Sequence, residues 1–372
     1  MRQKRNTAII SLLLGAAALL GSCASLEGFV DAQGLRGSAT AMLAAVDHYE
    51  GGRLGGPAEL EGRLASFAPF ARAEAATGGA TGVADPEASA TAEPVATTAA
   101  RPPAAWLLPD EKDLHQERIA FPSVSPLRAG GPDEAIFYLY WRGSLAGKRT
   151  ILWVPGYGVS DFAFRFIRNF FETELDHNYA ILFYTIPGHL ERMRKGEKAG
   201  EALLSADPAV NLETVSVVLG ELERGMSFLR ARGVGDFSAW GGSMGAAFLL
   251  LLAERERFDH MVLMIPVLDW RSILGNEAMG PVRARLRAAG YPDELVDRAY
   301  EAVSPAARPW KVGSTRVLIQ YARWDALTPE SLTLDFARGH GIVARGYDES
   351  HSTILLDRRM LEDYRLFLDG LD

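Results

Sequence analysis

Cysteine is almost absent. Among 372 residues there is one, Cys23, so no disulfide can form within the chain and no cysteine-based metal centre can be built. If the chain is exported, its fold has to stand on its core alone. Positive charge is also in short supply: 39 Lys and Arg stand against 47 Asp and Glu, for a net charge of −8. Three of those cations, Arg2, Lys4 and Arg5, lie in the first 22 residues, which hold no acid, so the remainder is more acidic still. With no basic tract, this balance argues against nucleic acid as a partner. It argues equally against docking on anionic lipid by charge alone. The histidines, at 48, 115, 177, 189, 260, 340 and 351, include no ligand pair at helical spacing. A phosphate-binding loop of the P-loop kind is missing as well. No metal and no other cofactor is expected, and no internal repeat is visible.

The N-terminus is laid out as an address. Arg2, Lys4 and Arg5 precede an apolar run at 7–20, then come Leu20, Gly21, Ser22 and Cys23. Charge, a short apolar stretch and small residues before a cleavage point make a secretory signal. The run is short for a spanning helix, which needs about 20 apolar residues. With the sole cysteine directly after the small residues, the segment resembles the lipobox of bacterial lipoproteins. The resemblance implies a signal peptide at 1–22 and a lipidated Cys23 as the mature N-terminus, held by several acyl chains, as stable anchoring requires. Ala24 stands where an aspartate often marks inner-membrane retention, which points to the outer membrane.

Residues 23–105 are expected to lie outside the main folded domain. Two short helices are predicted there, at 39–49 and 60–70. The Ala-, Thr-, Gly- and Pro-rich stretch at 76–105 is expected to act as a tether, because such a composition buries too little apolar surface to order itself. From about Trp106 to the end, extended runs alternate with helical ones, which predicts an α/β sheet. Strand-like runs fall at 135–141, 150–154, 179–186, 237–240, 260–267, 316–321 and 342–346. Phe162, Phe166, Ile167 and Phe170 mark the core face of one helix. Leu212, Val215, Leu219, Leu222, Met226 and Leu229 mark a second, with Asn211 placed to cap its start and Gly233 its end. A helical cap insertion is expected at about 270–311 and a closing helix at 355–368.

The chemistry gathers at Gly241-Gly242-Ser243-Met244-Gly245, where a predicted strand runs straight into an apolar helix. In this strand–turn–helix setting, G-x-S-x-G carries a nucleophilic serine on a strained turn. Side chains two positions to either side would collide, so both positions are glycine. The helix start behind Ser243 favours developing negative charge. A serine hydroxyl needs a base, and His351, after the last predicted strand, is the candidate. The base needs a carboxylate to fix its tautomer. Asp325 follows the preceding strand and is the first choice, with Asp269, one strand earlier, the runner-up. An oxyanion needs two backbone N–H donors. Met244 supplies one, and Tyr157, in the loop Pro155-Gly156-Tyr157-Gly158-Val159-Ser160, is the choice for the other.

With these motifs in the order Ser243, Asp325, His351, the stretch from about 134 to 370 resembles the α/β-hydrolase superfamily. The resemblance implies a mostly parallel central sheet flanked by helices, with a helical cap. Pro155 departs from the pattern, because many members have histidine there. A second similarity, to an uncharacterised subgroup of α/β-hydrolase-like proteins, rests on Ile186-Pro187-Gly188-His189, Arg192, Arg194 and Ser205-Ala206-Asp207-Pro208. For His189, Arg192 and Arg194 two readings stand, contact with an acidic substrate group or a solvated loop at the mouth of the site. The leading functional expectation is a serine esterase cleaving a carboxylic ester or thioester of a small molecule or lipid. An acyltransferase on the same triad and a non-catalytic binding lipoprotein are the alternatives.

Overall fold

The computed structural model describes residues 24–67, 97–109, 111, 113–310 and 313–371. The expected signal peptide, Cys23 and residues 76–96 of the expected tether lie outside these residues.

Among the described residues nine strands build one sheet: β1 (Thr97–Ala100), β2 (Leu114–Ser125), β3 (Gly131–Arg142), β4 (Thr150–Val154), β5 (Ala180–Thr185), β6 (Phe237–Gly242), β7 (His260–Met264), β8 (Arg316–Ala322) and β9 (Val343–Tyr347). Their spatial order is β1-β2-β3-β5-β4-β6-β7-β8-β9. From β5 to β9 the neighbours are parallel. β2 and β3 form an antiparallel pair, β3 joins β5 antiparallel, and β1 extends β2 on its other side. Both faces of the inner strands β4–β7 are covered, which is why these read as largely apolar runs rather than alternating ones, whereas the edge strand β9 is partly exposed. β4, β5 and β6 are buried at every position. The expected mostly parallel α/β architecture is therefore present.

Ten helices accompany the sheet among the described residues: α1 (Ala24–His48), α2 (Pro57–Ser66), α3 (Phe164–Asp176), α4 (Pro208–Ala231), α5 (Met244–Leu252), α6 (Trp270–Gly275), α7 (Gly280–Ala288), α8 (Asp293–Ala302), α9 (Glu330–His340) and α10 (Arg358–Asp369). α3 and α10 pack on one face of the sheet, and α4 and α5 on the other together with the cap helices α6–α8. α5 is apolar all round and buried throughout, as a helix of that composition must be. α3 starts at Phe164, later than expected, so its buried stripe is Phe164, Ile167, Phe170 and Phe171, and Phe162 is half exposed. α4 begins earlier than expected. Asp207 caps it by accepting the Ala209 N–H, and Pro208 takes its first position. Asn211 is inside the helix, where its amide group instead binds the backbone of Ser205 on both sides.

The N-terminal segment differs most from expectation. Residues 24–67 are docked on the α/β unit. Leu35, Ala39, Met42, Ala45 and Leu60 are buried, because these helices have no core of their own and bury their apolar face against α4, α7 and α8. Polar clamps fix the docking. Ser205 donates to the Gly52 carbonyl, Ala206 N–H to the Met42 carbonyl, and Gly55 N–H to the Asp207 carboxylate. A Cβ on Gly52 would lie 1.9 Å from the Ala45 carbonyl oxygen, so the chain turns there with no room for a side chain. The Ser205-Ala206-Asp207-Pro208 motif thus serves the start of α4 and its junction with the N-terminal segment. Further along, β1 pairs with β2 inside the stretch expected as tether.

Candidate functional site

β6 ends at Gly242, and the chain turns into α5 through Ser243, whose φ of +51° and ψ of −116° lie where few residues other than glycine sit. Two hydrogen bonds, to the end of β7 and to the loop after it, hold this strain. Ser243 N–H donates to the Met264 carbonyl at 2.8 Å, and Val267 N–H donates to the Ser243 carbonyl at 3.2 Å. The glycines on either side are needed for space. A Cβ on Gly241 would stand 2.7 Å from Ala246 Cα, and one on Gly245 would stand 2.1 Å from the Val154 carbonyl oxygen. Gly156 makes a further close approach, since a Cβ there would meet Ser243 Cβ at 3.2 Å.

The residues singled out as base and acid meet the serine. His351 Nε2 lies 2.8 Å from Ser243 Oγ, and His351 Nδ1 lies 2.7 Å from an Asp325 oxygen. The three come from the elbow after β6, the loop after β8 and the loop after β9. Their order along the sheet follows from the parallel strands that carry them. Asp325 also accepts the N–H groups of Leu327 and Thr328, each at 2.7 Å, and the Thr328 hydroxyl. Burial works against its charge, but the His351 side chain and the Thr328 donors prevail and hold its carboxyl below the usual aspartate range. Burial likewise disfavours the protonated imidazole of His351. The charge and hydrogen bond of Asp325, with the charge of Asp31, outweigh it and hold His351 above the usual imidazole range.

Asp269, the runner-up acid, is placed elsewhere. It caps α6 by accepting the Arg271 N–H and pairs with the Arg271 guanidinium and the Ser304 hydroxyl.

Of the two amides expected to face an oxyanion, that of Met244 directly follows the serine, and Tyr157 lines the same cavity as Ser243. Met244 is the first residue of α5, so its N–H has no partner within the helix. Tyr157 N–H has no backbone acceptor among the described residues. His189 fixes the loop that carries it. Its Nδ1 lies 2.9 Å from the Pro187 carbonyl, which places the proton there, and Nε2 accepts the Gly158 N–H at 2.8 Å. Burial lowers the imidazole to about 4, so it stays neutral and able to accept that bond.

His189, Arg192 and Arg194 do not line the cavity in front of Ser243, and the expected substrate contact is corrected. Only Arg194 is exposed, as a solvated loop residue would be. Arg192 is buried between Glu221 and Asp133, at 2.7 and 2.8 Å, and Tyr184 donates to the same Glu221. A charge in the protein interior needs such partners, and Glu221, on a helix 29 residues away in sequence, could not be chosen from the local motif.

The cavity has a volume of about 560 Å³, within the range of sites that take small organic ligands. Ser243, His351 and Tyr157 open into it, and most of its wall is apolar. Sequence reasoning missed two of its features. One wall is α1, through Asp31, Leu35 and Met42. Another is Ile265, held at φ +43° directly after β7, an unusual conformation for a β-branched residue. Its N–H donates to the Gln320 carbonyl at 2.7 Å. No sequence signal marks Ile265. For α1, the apolar spacing at Leu35, Ala39 and Met42 was available.

No protein-family model and no curated protein matches the chain. Solved structures do resemble it. An acetyl xylan esterase from Paenibacillus sp. R4 superposes with a TM-score of 0.53 at 17% identity, covering 70% of this chain and 84% of that one. An acylaminoacyl peptidase of Pyrococcus horikoshii gives 0.49 at 15%, covering 70% of this chain and 41% of that one. An esterase of Pyrococcus furiosus gives 0.46 at 16%, covering 69% and 93%. Taken with the sheet order and the serine at the turn from β6 into α5, the first of these likenesses shows that the chain has the α/β-hydrolase fold.

Proposed function

We propose that the protein is a serine hydrolase that cleaves a carboxylic ester or thioester through an acyl-enzyme on Ser243. The observation that carries this reading is the continuous hydrogen-bonded line from Ser243 through His351 to Asp325, opening into a largely apolar cavity. Ser243 Oγ attacks the acyl carbon while its proton passes to His351 Nε2. Asp325 fixes the proton on Nδ1 and stabilises the imidazolium. The negative charge on the former carbonyl oxygen is met by the N–H groups of Met244 and Tyr157. Collapse breaks the bond to the leaving alcohol or thiol, which takes the proton from His351. Water then repeats the sequence on the acyl-enzyme, releasing the acid and restoring Ser243.

Leu35, Met42, Phe248, Ile273, Met279 and Val303 give the cavity its apolar character. They suit an uncharged acyl group better than an acidic one, because a charge placed there would lose its hydration without a partner. The reading is tested with a series of uncharged acyl esters of increasing chain length, which the protein should hydrolyse with a preference set by this cavity. Absence of hydrolysis across the series would contradict it. We propose further that the chain is exported and anchored by lipid on Cys23. Wild-type protein should then partition into detergent and Cys23→Ala should not. An unmodified Cys23 in the mature N-terminal peptide, read by mass spectrometry, would exclude the anchor.

A further inference from the structure

α1 carries one acidic side chain into the interior. Asp31 is 1% exposed, and among the described residues no cation is ion-paired with it. Its partners are instead the two loops that hold the base and the acid. One oxygen accepts the His351 N–H at 3.1 Å and lies 3.5 Å from the Ala326 N–H. The other accepts the Ser352 N–H at 3.2 Å and the Ser352 hydroxyl at 2.8 Å. A single carboxylate thus binds the backbone of the histidine itself and reaches the residue after Asp325. A buried carboxylate without a cation is expensive, and a fold that needed only to dock α1 here could use an apolar residue.

We infer that Asp31 is a positioning residue: by holding the backbone of His351 and Ser352, it sets the imidazole between Ser243 and Asp325, so that the N-terminal helix completes the active site. This rests on the hydrolase reading above. Both oxygens are engaged as acceptors, so an amide cannot replace the carboxylate. Asparagine would turn an N–H toward donors it cannot accept from. Asp31 also lies close enough for its negative charge to act on the imidazolium that forms as Ser243 attacks. The charged groups that act on that ring are Asp325, from the loop after β8, and Asp31, from α1. The elbow contributes the neutral Ser243 hydroxyl, and Asp348, on the histidine's own loop, is paired outward with Arg323.

The test is Asp31→Asn in the full-length protein, with Asp31→Ala alongside. Displacement of a reacting group by about 1 Å costs on the order of 10²-fold in turnover, so kcat should fall by about that factor while KM for a short acyl ester changes little. The acid limb of the kcat profile should also move to lower pH, because the imidazole loses a neighbouring negative charge and is deprotonated more easily. A role confined to packing α1 would lower the melting temperature and leave that limb in place. Ser352→Ala, which removes the shortest of the bonds and leaves the carboxylate, should lower kcat in the same direction by a smaller factor. It decides the question if Asp31→Asn does not fold. Titration of the His351 ring by NMR, in wild type and Asp31→Asn, reads the same effect without turnover. Active wild type with unchanged kcat and acid limb in folded Asp31→Asn, or unchanged kcat in Ser352→Ala where that variant decides, overturns this inference alone. A wild type that hydrolyses no ester overturns the hydrolase reading, and an unchanged His351 titration in Asp31→Asn would then overturn the role of Asp31 as well.

Discussion

Glu174 on α3 is fully buried, and its environment dictates how the stability of this fold responds to pH. One carboxyl oxygen accepts the Trp153 indole N–H at 2.7 Å and the Tyr364 hydroxyl at 2.6 Å, and the other has no partner among the described residues. Burial pushes the group from 4.5 up to about 8 against those two donors. Between these values the folded protein holds a proton that the unfolded chain has released, so stability falls as pH rises through that window. The full span is worth roughly 5 kcal/mol, of which about 3 kcal/mol is lost by pH 7 and a further ~1.4 kcal/mol between pH 7 and 9. Glu174→Gln keeps the accepting oxygen and places an uncharged NH2 where the unpartnered oxygen stands, so it mimics the neutral acid at every pH. Its melting temperature should match wild type near pH 5 and exceed it increasingly above. The gap should widen by about 2 °C between pH 7 and 9, at roughly 1.5 °C per kcal/mol for a chain of this size. Thermal melts of both proteins at pH 5, 7 and 9 decide it. Parallel curves would refute the claim that a buried, protonated Glu174 sits behind Trp153.

The remaining predictions concern the site. Asp325→Asn should leave the fold intact and lower kcat by about 10⁴-fold, because His351 is left in the wrong tautomer. Asp269→Asn should leave kcat near wild type and cost about 1 kcal/mol at most through a weakened cap, as kinetics and melting curves of the two variants will show. Because the imidazole is held above its usual range, kcat/KM should fall on the acid side at a pH above the ordinary value of about 6.5. An acid limb below that value would contradict the electrostatic assignment. A chain beginning at residue 106 loses α1, α2 and β1, and with them Asp31 and the buried Leu35, Met42 and Leu60. Each such side chain is worth roughly 1.5–3 kcal/mol, against a total stability of about 5–15 kcal/mol. This piece should therefore show no ester hydrolysis, and wild-type activity in it would show that the N-terminal segment is dispensable.

What was legible in the sequence follows the range of the constraint. The elbow could be read because its requirement is local: Gly241 and Gly245 are glycine since Ala246 and the Val154 carbonyl leave no space, and the strand and helix around them carry their own apolar patterns. The inner parallel strands were legible for a similar reason, being buried on both faces and bounded by turns. Their ends were less so. The strand expected at 260–267 stops at Met264 because Ile265 adopts a positive φ, held by a backbone bond to Gln320 that no local pattern announces. Arg192 was misjudged because a cation in a loop is usually solvated, and its buried partner Glu221 sits on another element. Asp31 lies 320 residues from His351 in sequence. Its role arises only when α1 docks, and the Ala- and Gly-rich character of that helix obscured a buried face carried by Leu35, Ala39 and Met42.

The central claim is that Ser243 is the nucleophile, and covalent labelling tests it most directly. Wild-type protein treated with a fluorophosphonate and mapped by peptide mass spectrometry should carry the label on Ser243. Ser243→Ala should take up none and should hydrolyse short acyl esters about 10⁶-fold more slowly, with His351→Ala in the same background adding little further loss. Label on a different serine, or wild-type progress curves from Ser243→Ala, would contradict the mechanism.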